Sequence, residues 1–185
     1  SHPSRESTLQ YPDGLKALVS DSVGDNMPLH MPLYGKSRIL VNQERTPPLS
    51  AAIEIAVMFS RSEKAQLVSY VNLVPATDGT HVAAAKSALV KCLNQYLTGE
   101  TGGKVERWLR WKDVAAGITL AIAILHPDPM YLSATKMILG NREVRAPIRR
   151  LIRDMVREQL PPDIAQQYLE YCLSRKHGKG QYSIG

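Results

Sequence analysis

The stretch HPDPMYLSATKMILGNREVRAPIRRLI, residues 126–152, contains a strand end, a loop and the start of an arginine-rich helix. Just before it, ITLAIAIL (residues 118–125) is an uninterrupted apolar run, which is typical of a strand covered on both faces. Pro127 and Pro129 end that strand, because proline cannot donate to a sheet ladder. After the loop, apolar residues recur at three- and four-residue steps and predict one buried helix face: Val144, Ile148, Leu151, Ile152 and Met155.

The loop between this strand and this helix contains Ser133, Thr135 and Lys136. A lysine beside a helix start can meet a phosphate group, because its ammonium is a mobile point charge and free backbone N–H groups lie nearby. The other interpretation is an ordinary solvated lysine, since no G-x-x-x-x-G-K-[ST] pattern surrounds Lys136. The residues alone leave both interpretations open.

Composition restricts the class of protein. The 185 residues are enough for one domain with a hydrophobic core, and 44% hydrophobic and 22% charged residues are ordinary for a globular protein. No apolar run is long enough to span a membrane and the start is polar, so we expect a cytoplasmic protein. Cys92 and Cys172 lie far apart, and no metal-binding or nucleophile motif occurs, so no metal site or catalytic residue is expected within this chain. The net charge of +6 permits a polyanionic partner.

Periodicity along the chain predicts an α+β domain with a mixed sheet and helices packed on one side. An alternating strand at residues 50–60 and a second strand at 66–74 suggest an antiparallel hairpin. The other predicted elements are helices at about 13–21, 80–99, 113–116 and 162–175, with an extended piece at about 30–40. We expect a flexible tail at 1–10, the main domain at 11–160, a C-terminal helix at 161–175 and a second flexible tail at 176–185.

Arginines mark one side of the helix that follows the loop. At about 100° per residue they fall in one sector beside the apolar stripe: Arg142, Arg145, Arg149, Arg153 and Arg157. A solvated charged face and a face that contacts a phosphate backbone are both compatible with this pattern.

Four separated blocks resemble the transducer domain of the ATPase subunit of bacterial type IIA topoisomerases. They are YPDGL (11–15), SYVNLVPATDGTHV (69–82), KDVAAGI (112–118) and DPMYLSATKMILGNREVR (128–145). The second block is similar to the topoisomerase IV B subunit (ParE), whereas LGNREVR is similar to gyrase B. The resemblance covers residues 11–175 and implies a ribosomal protein S5 domain 2-like fold. In the whole subunit this domain follows a GHKL-type ATP-binding domain and precedes a TOPRIM domain.

The resemblance also implies a phosphate contact. In the family a Q-T-K loop reaches the γ-phosphate of ATP, and the matching positions here are Ala134, Thr135 and Lys136. Lysine is retained, but alanine replaces the glutamine and cannot form its hydrogen bond. ATP and Mg²⁺ are therefore expected in the full-length subunit, whereas the isolated chain is expected to bind neither and to be inactive.

Duplex DNA is the implied partner of the basic side chains, because in the family the transducer domain forms a wall of a cavity through which DNA passes. The candidate cavity residues are Lys86, Lys91, Arg142, Arg145, Arg149 and Arg153. The other implied partners are the topoisomerase A subunit and a second B subunit, which dimerises with ATP. The alternative is a stand-alone S5-like nucleic-acid-binding module without topoisomerase activity.

Overall fold

The computed structural model describes residues 14–23, 28–42, 44, 46–100 and 109–178. The helices and strands are, in order, α1 (Leu15–Val23), β1 (Leu33–Asn42), β2 (Leu49–Phe59), β3 (Gln66–Val71), β4 (Val74–Pro75), β5 (Asp78–Gly79), α2 (Thr80–Glu100), α3 (Trp111–Val114), β6 (Ile118–Leu125), β7 (Ile138–Leu139), α4 (Arg145–Gln159) and α5 (Pro162–Gly178). The strand predicted at 118–125 and the helix predicted at 80–99 are confirmed. α3 begins two residues before its predicted start, and α5 continues beyond its predicted end at 175. Of the two predicted tails, residues 1–10 and residues 179–185 lie outside the described residues.

The main sheet has five strands in the order β1-β2-β6-β3-β4. β6 is antiparallel to β2 and parallel to β3. A parallel neighbour requires a crossover connection, and the segment containing α2 supplies it between β3 and β6. β6 is therefore an internal strand, and all its residues except Ala123 and Leu125 are buried.

The predicted hairpin of β2 with β3 is wrong, because β6 lies between these two strands. The segment that follows β2 is hydrogen-bonded to Gly117, the residue before β6. Ser60 N–H donates to the Gly117 carbonyl (2.9 Å), and Gly117 N–H donates to the Lys64 carbonyl (3.3 Å). Strand β6 is apolar on both sides and so takes the internal position, which separates the two strands that are neighbours in sequence.

Helices α2, α4 and α5 pack on one face of the sheet, and the predicted mixed α+β class is confirmed. The short helix α1 covers the opposite face, where Val19 and Val23 pack in a second cluster with Ala56 and Met58 of β2. The alternation in β2 predicted one core-facing side. Residues 55–59 are instead buried on both sides, because α1 supplies the second layer.

The two-stranded parallel sheet β5-β7 joins the loop after β6 to the start of α2. Gly79 has φ of +125°, and a Cβ at this position would overlap the backbone of Leu139. Glycine is thus required by both its conformation and its close approach to the neighbouring strand.

Gly79→Ala should lower the free energy of unfolding by about 1–3 kcal/mol, because alanine is strained at this φ and would push β7 away from β5. Gly99→Ala is the matched control, since a Cβ there would meet no atom within 4 Å and Gly99 lies in helix α2. The control should be neutral or stabilising by up to about 1 kcal/mol. Urea unfolding of both variants measures the difference, and equal effects would contradict the close approach.

Candidate functional site

The lysine loop, residues 130–140, is a short antiparallel hairpin that follows β6. Gly140 N–H donates to the Met130 carbonyl (2.7 Å), and Leu132 N–H donates to the Ile138 carbonyl (2.8 Å). The two sides of the loop are therefore hydrogen-bonded to each other, which gives its tip a defined base.

A turn at the tip presents Lys136 to solvent. Its N–H donates to the Ser133 carbonyl (3.0 Å), and its φ of +58° lies in the left-handed region that lysine seldom adopts. Ala134, Thr135 and Lys136 are all exposed. Within the described residues no carboxylate forms a salt bridge with Lys136, so its charge is available to an anion from outside.

A buried histidine supports the start of the loop. His126 Nδ1 accepts the N–H of Asp128 (3.1 Å), so Nε2 carries the ring proton and donates it to Glu143 Oε1 (3.1 Å). Burial would raise the pKa of the Glu143 carboxyl, but hydrogen bonds from Asn141 and the backbone, together with His126, lower it. The sequence did not predict this cluster, because its members share no periodic spacing.

His81 lies in the core rather than in the loop. It is the second residue of α2 and is fully buried. Its Nε2 lies 2.6 Å from Ser69 Oγ and 3.2 Å from the Ala76 carbonyl oxygen. Burial lowers the pKa of the His81 ring more than Ala76 and Asp78 raise it. His81 is consequently a neutral structural histidine and not an accessible base.

Some of the basic residues that are predicted to contact DNA lie together in a groove between α2 and α4. A cavity of about 540 Å³ is lined by Lys91, Arg149 and Arg153, with Ala88 and Cys92 among its other lining residues. A second cavity of about 440 Å³ shares Cys92 and Arg153 and continues the groove toward Arg157. We call this feature the basic groove.

The other predicted DNA-cavity residues lie outside the basic groove. Lys86 is about 140° around α2 from Lys91, and its ammonium lies 5.4 Å from the ring centroid of Trp111. Arg142 precedes α4 and Arg145 is its first residue; both are exposed, and neither lines the groove cavities. The sequence pattern of α4 alone could not show that Lys91 joins its arginines, because that requires the packing of α2 on α4.

Carboxylates neutralise part of the groove. Asp154 Oδ1 lies 3.5 Å from both Arg153 Nε and Arg157 Nη2, and Glu158 lies 2.9 Å from Arg157. Within the described part of the chain, Lys91 and Arg149 form no such pair. The positive charge of the groove is therefore least compensated beside these two residues.

Exposed apolar side chains gather at the same end of the sheet as the lysine loop. The members of this apolar rim are Leu73, Val74, Leu125, Met130, Leu132 and Met137, each at least 40% exposed. They come from the β3–β4 turn, the first residue of β4, the end of β6 and the lysine loop. Large exposed apolar patches are typical of binding faces. The rim cannot be recognised from the sequence, because the exposure of these side chains depends on tertiary structure.

Two other kinds of site are absent from the described residues. No group of histidine, cysteine and carboxylate side chains there could hold a metal ion. Nor does any described helix combine the length and the apolar character of a membrane span.

Comparison with known proteins identifies relatives of the chain. The family model for DNA gyrase B matches residues 14–181. The DNA gyrase B protein of Staphylococcus epidermidis is 32% identical over 154 residues, which is 81% of this chain and 22% of that protein. The chain spans about a quarter of the length of such relatives or less.

Solved structures share the fold. The 43K ATPase domain of Thermus thermophilus gyrase B gives a TM-score of 0.67 at 20% identity, over 90% of this chain and 45% of that one. The topoisomerase IV ATP-binding domain of Francisella tularensis gives 0.67 at 20% identity, over 92% and 44%. This likeness confirms the fold that the sequence resemblance implied.

The neutral state of His81 predicts how stability depends on pH. The unfolded chain binds a proton to histidine below about pH 6.5, whereas burial lowers the pKa of His81 in the folded chain, so stability should fall as the pH drops below that value. His81→Gln should reduce this slope without abolishing it, because burial also lowers the pKa of His30. Urea unfolding between pH 5 and about pH 8 measures the slope, with His30→Gln as the comparison. An unchanged slope in His81→Gln would contradict the assignment.

Proposed function

The chain belongs to the DNA gyrase B family, and from this premise we propose that it is the transducer module of an ATP-dependent type II DNA topoisomerase. In this role it couples the nucleotide state of an adjacent GHKL ATPase domain to gate closure and DNA strand passage. Structures of both gyrase and topoisomerase IV occur among the solved relatives. The proposed role is therefore the one that the B subunits of these two enzymes share. Family membership does not favour the alternative of a stand-alone nucleic-acid-binding module.

The observation that carries the proposal is the lysine loop with the apolar rim beside it. Lys136 is exposed on a hairpin with a hydrogen-bonded base, and it has no salt bridge within the described residues. The rim around it leaves Leu73 84% exposed and Leu132 66% exposed, which is costly for a face that stays in water. Both features fit a surface that docks on the nucleotide-binding domain and delivers one cation to it.

The chemistry of this contact is electrostatic. An ammonium fixed near the transferring phosphoryl group stabilises the charge that develops there, provided that water is excluded. Thr135 supplies a hydroxyl, whereas Ala134 supplies no polar group. The proposed γ-phosphate contact therefore depends mainly on the charge of Lys136. ATP and Mg²⁺ would be held by the adjacent domain, and the isolated chain would not hydrolyse ATP.

The basic groove is the proposed contact for duplex DNA. Lys91, Arg149 and Arg153 face one cavity, as a phosphate backbone would require. Contacts of this type are insensitive to sequence and strongly dependent on salt, because they release counterions without reading base edges. Lys86, Arg142 and Arg145 remain predicted contacts outside the groove. The TOPRIM domain, the A subunit and a second B subunit are the other proposed partners, in the cytoplasm.

Replacing Lys136 tests the phosphate contact. In the intact B subunit, Lys136→Ala should lower ATP turnover by about 10²–10³-fold, the usual loss when one preorganised charge-stabilising group is removed. Lys64→Ala, at an exposed lysine between β2 and β3, is the control and should leave turnover unchanged. Ala134→Gln should raise turnover or leave it unaltered. Parental turnover in Lys136→Ala would contradict the proposal.

Charge reversal tests the groove. Lys91→Glu in the intact enzyme should selectively lower DNA-stimulated ATP turnover while basal turnover is retained, because only the DNA complex needs this cation. Lys86→Glu is measured in parallel, since both lysines lie on α2 but point in different directions. A loss confined to Lys86→Glu would overturn the assignment of the groove, and raising the salt concentration should reduce the difference between parent and Lys91→Glu.

A further inference from the structure

A single buried side chain closes the base of the lysine loop. Asn141 directly follows the loop and is 5% exposed. Its Oδ1 accepts the N–H of Met130 (2.6 Å), and its Nδ2 donates to the Asp128 carbonyl (3.2 Å) and to Glu143 Oε1 (2.8 Å). One amide thus uses its acceptor and both its donors to hold the segment that enters the loop and Glu143, which lies two residues before the start of α4.

The backbone of Asn141 adds a connection to α2. Its carbonyl oxygen accepts the hydroxyl of Thr80 (2.6 Å), the first residue of that helix. Met130 is held from two sides as well, because its N–H bonds to Asn141 and its carbonyl accepts from Gly140. Through Asn141, the base of the hairpin is therefore tied to the segment after β6, to the first residue of α2 and to the segment before α4.

From this geometry we propose that Asn141 is the positioning residue of Lys136. The inference depends on the proposed phosphate contact, since a charged group is effective only when it is held within about 0.5 Å of its productive position. Asn141 touches no ligand itself. It fixes the two ends of the hairpin, and the hairpin fixes the left-handed turn on which Lys136 lies.

The chain contains a matched control for a merely structural asparagine. Asn94 in α2 is 7% exposed, and its side chain also forms three hydrogen bonds to the backbone. Its Oδ1 accepts the N–H of Leu109 (2.9 Å), and its Nδ2 donates to the carbonyls of Val90 and Leu109, each at 3.0 Å. Asn94 thus resembles Asn141 in burial and bonding but holds a different part of the fold.

The first test is amide hydrogen exchange of the chain itself. Asn141→Ala should accelerate exchange in residues 130–137 by about tenfold, the factor expected when a net hydrogen bond is lost from the loop base. Asn94→Ala should lower the free energy of unfolding by a similar amount. It should not selectively accelerate exchange in residues 130–137. If Asn141→Ala does not fold, Thr80→Val removes the bond to the Asn141 carbonyl and should accelerate the same amides. Equal loop exchange in the Asn141 and Asn94 variants, or in Thr80→Val and the parent, would overturn the proposal.

The second test is a double-mutant cycle in the intact B subunit. Asn141→Ala should lower ATP turnover when Lys136 is present and should have no further effect in Lys136→Ala, because a positioning residue acts only through the group it positions. An equal loss in both backgrounds would make Asn141 merely structural. If Lys136→Ala itself retains parental turnover, the proposed phosphate contact fails, whereas the exchange experiment still decides whether Asn141 anchors the loop.

Discussion

The burial of β6 on both faces is the constraint from which the rest of the architecture follows. A strand with apolar side chains on both sides needs a neighbour at each edge and a layer over each face. β2 and β3 supply the edges, while α1 and the group of α2, α4 and α5 supply the layers. Because β3 and β6 are parallel, their carboxyl ends meet at the same end of the sheet. There Asn72 accepts the N–H of His126 (2.8 Å) and donates to its carbonyl (2.9 Å).

That end of the sheet is where the candidate phosphate contact is built, and α4 continues directly from it. The lysine loop leaves β6, returns through β7 and reaches Asn141 and Glu143 before α4 begins. The arginines of the basic groove are therefore on the first helix after the loop. Hydrogen bonds join Asn141, at the end of the loop, to the first residue of α2 and to Glu143 just before α4.

The sequence predicted those elements whose side chains follow one period. β6 is predicted from its apolar run, α2 and α4 from their apolar stripes, and α5 from the helix-start residues Pro162 and Asp163. The partner of β2 was predicted wrongly, because strand pairing depends on which strand needs two covered faces and not on sequence order. Lys136 was identified by resemblance. Asn141, His126 and the apolar rim could not be predicted, since their roles arise only when β3, β6 and α2 meet. The sequence predicts both Lys86 and Lys91 as DNA contacts. The packing of α2 against α4 places only Lys91 in the basic groove.

In the proposed role, the lysine loop lies at the terminal phosphate of ATP in the whole subunit. A photoreactive ATP analogue with its reactive group on the γ-phosphate tests this most directly. After irradiation of the intact B subunit, mass spectrometry of the digested protein should find the label within residues 131–137, and unmodified ATP should compete it away. Specific labelling confined to peptides outside the lysine loop would contradict the account.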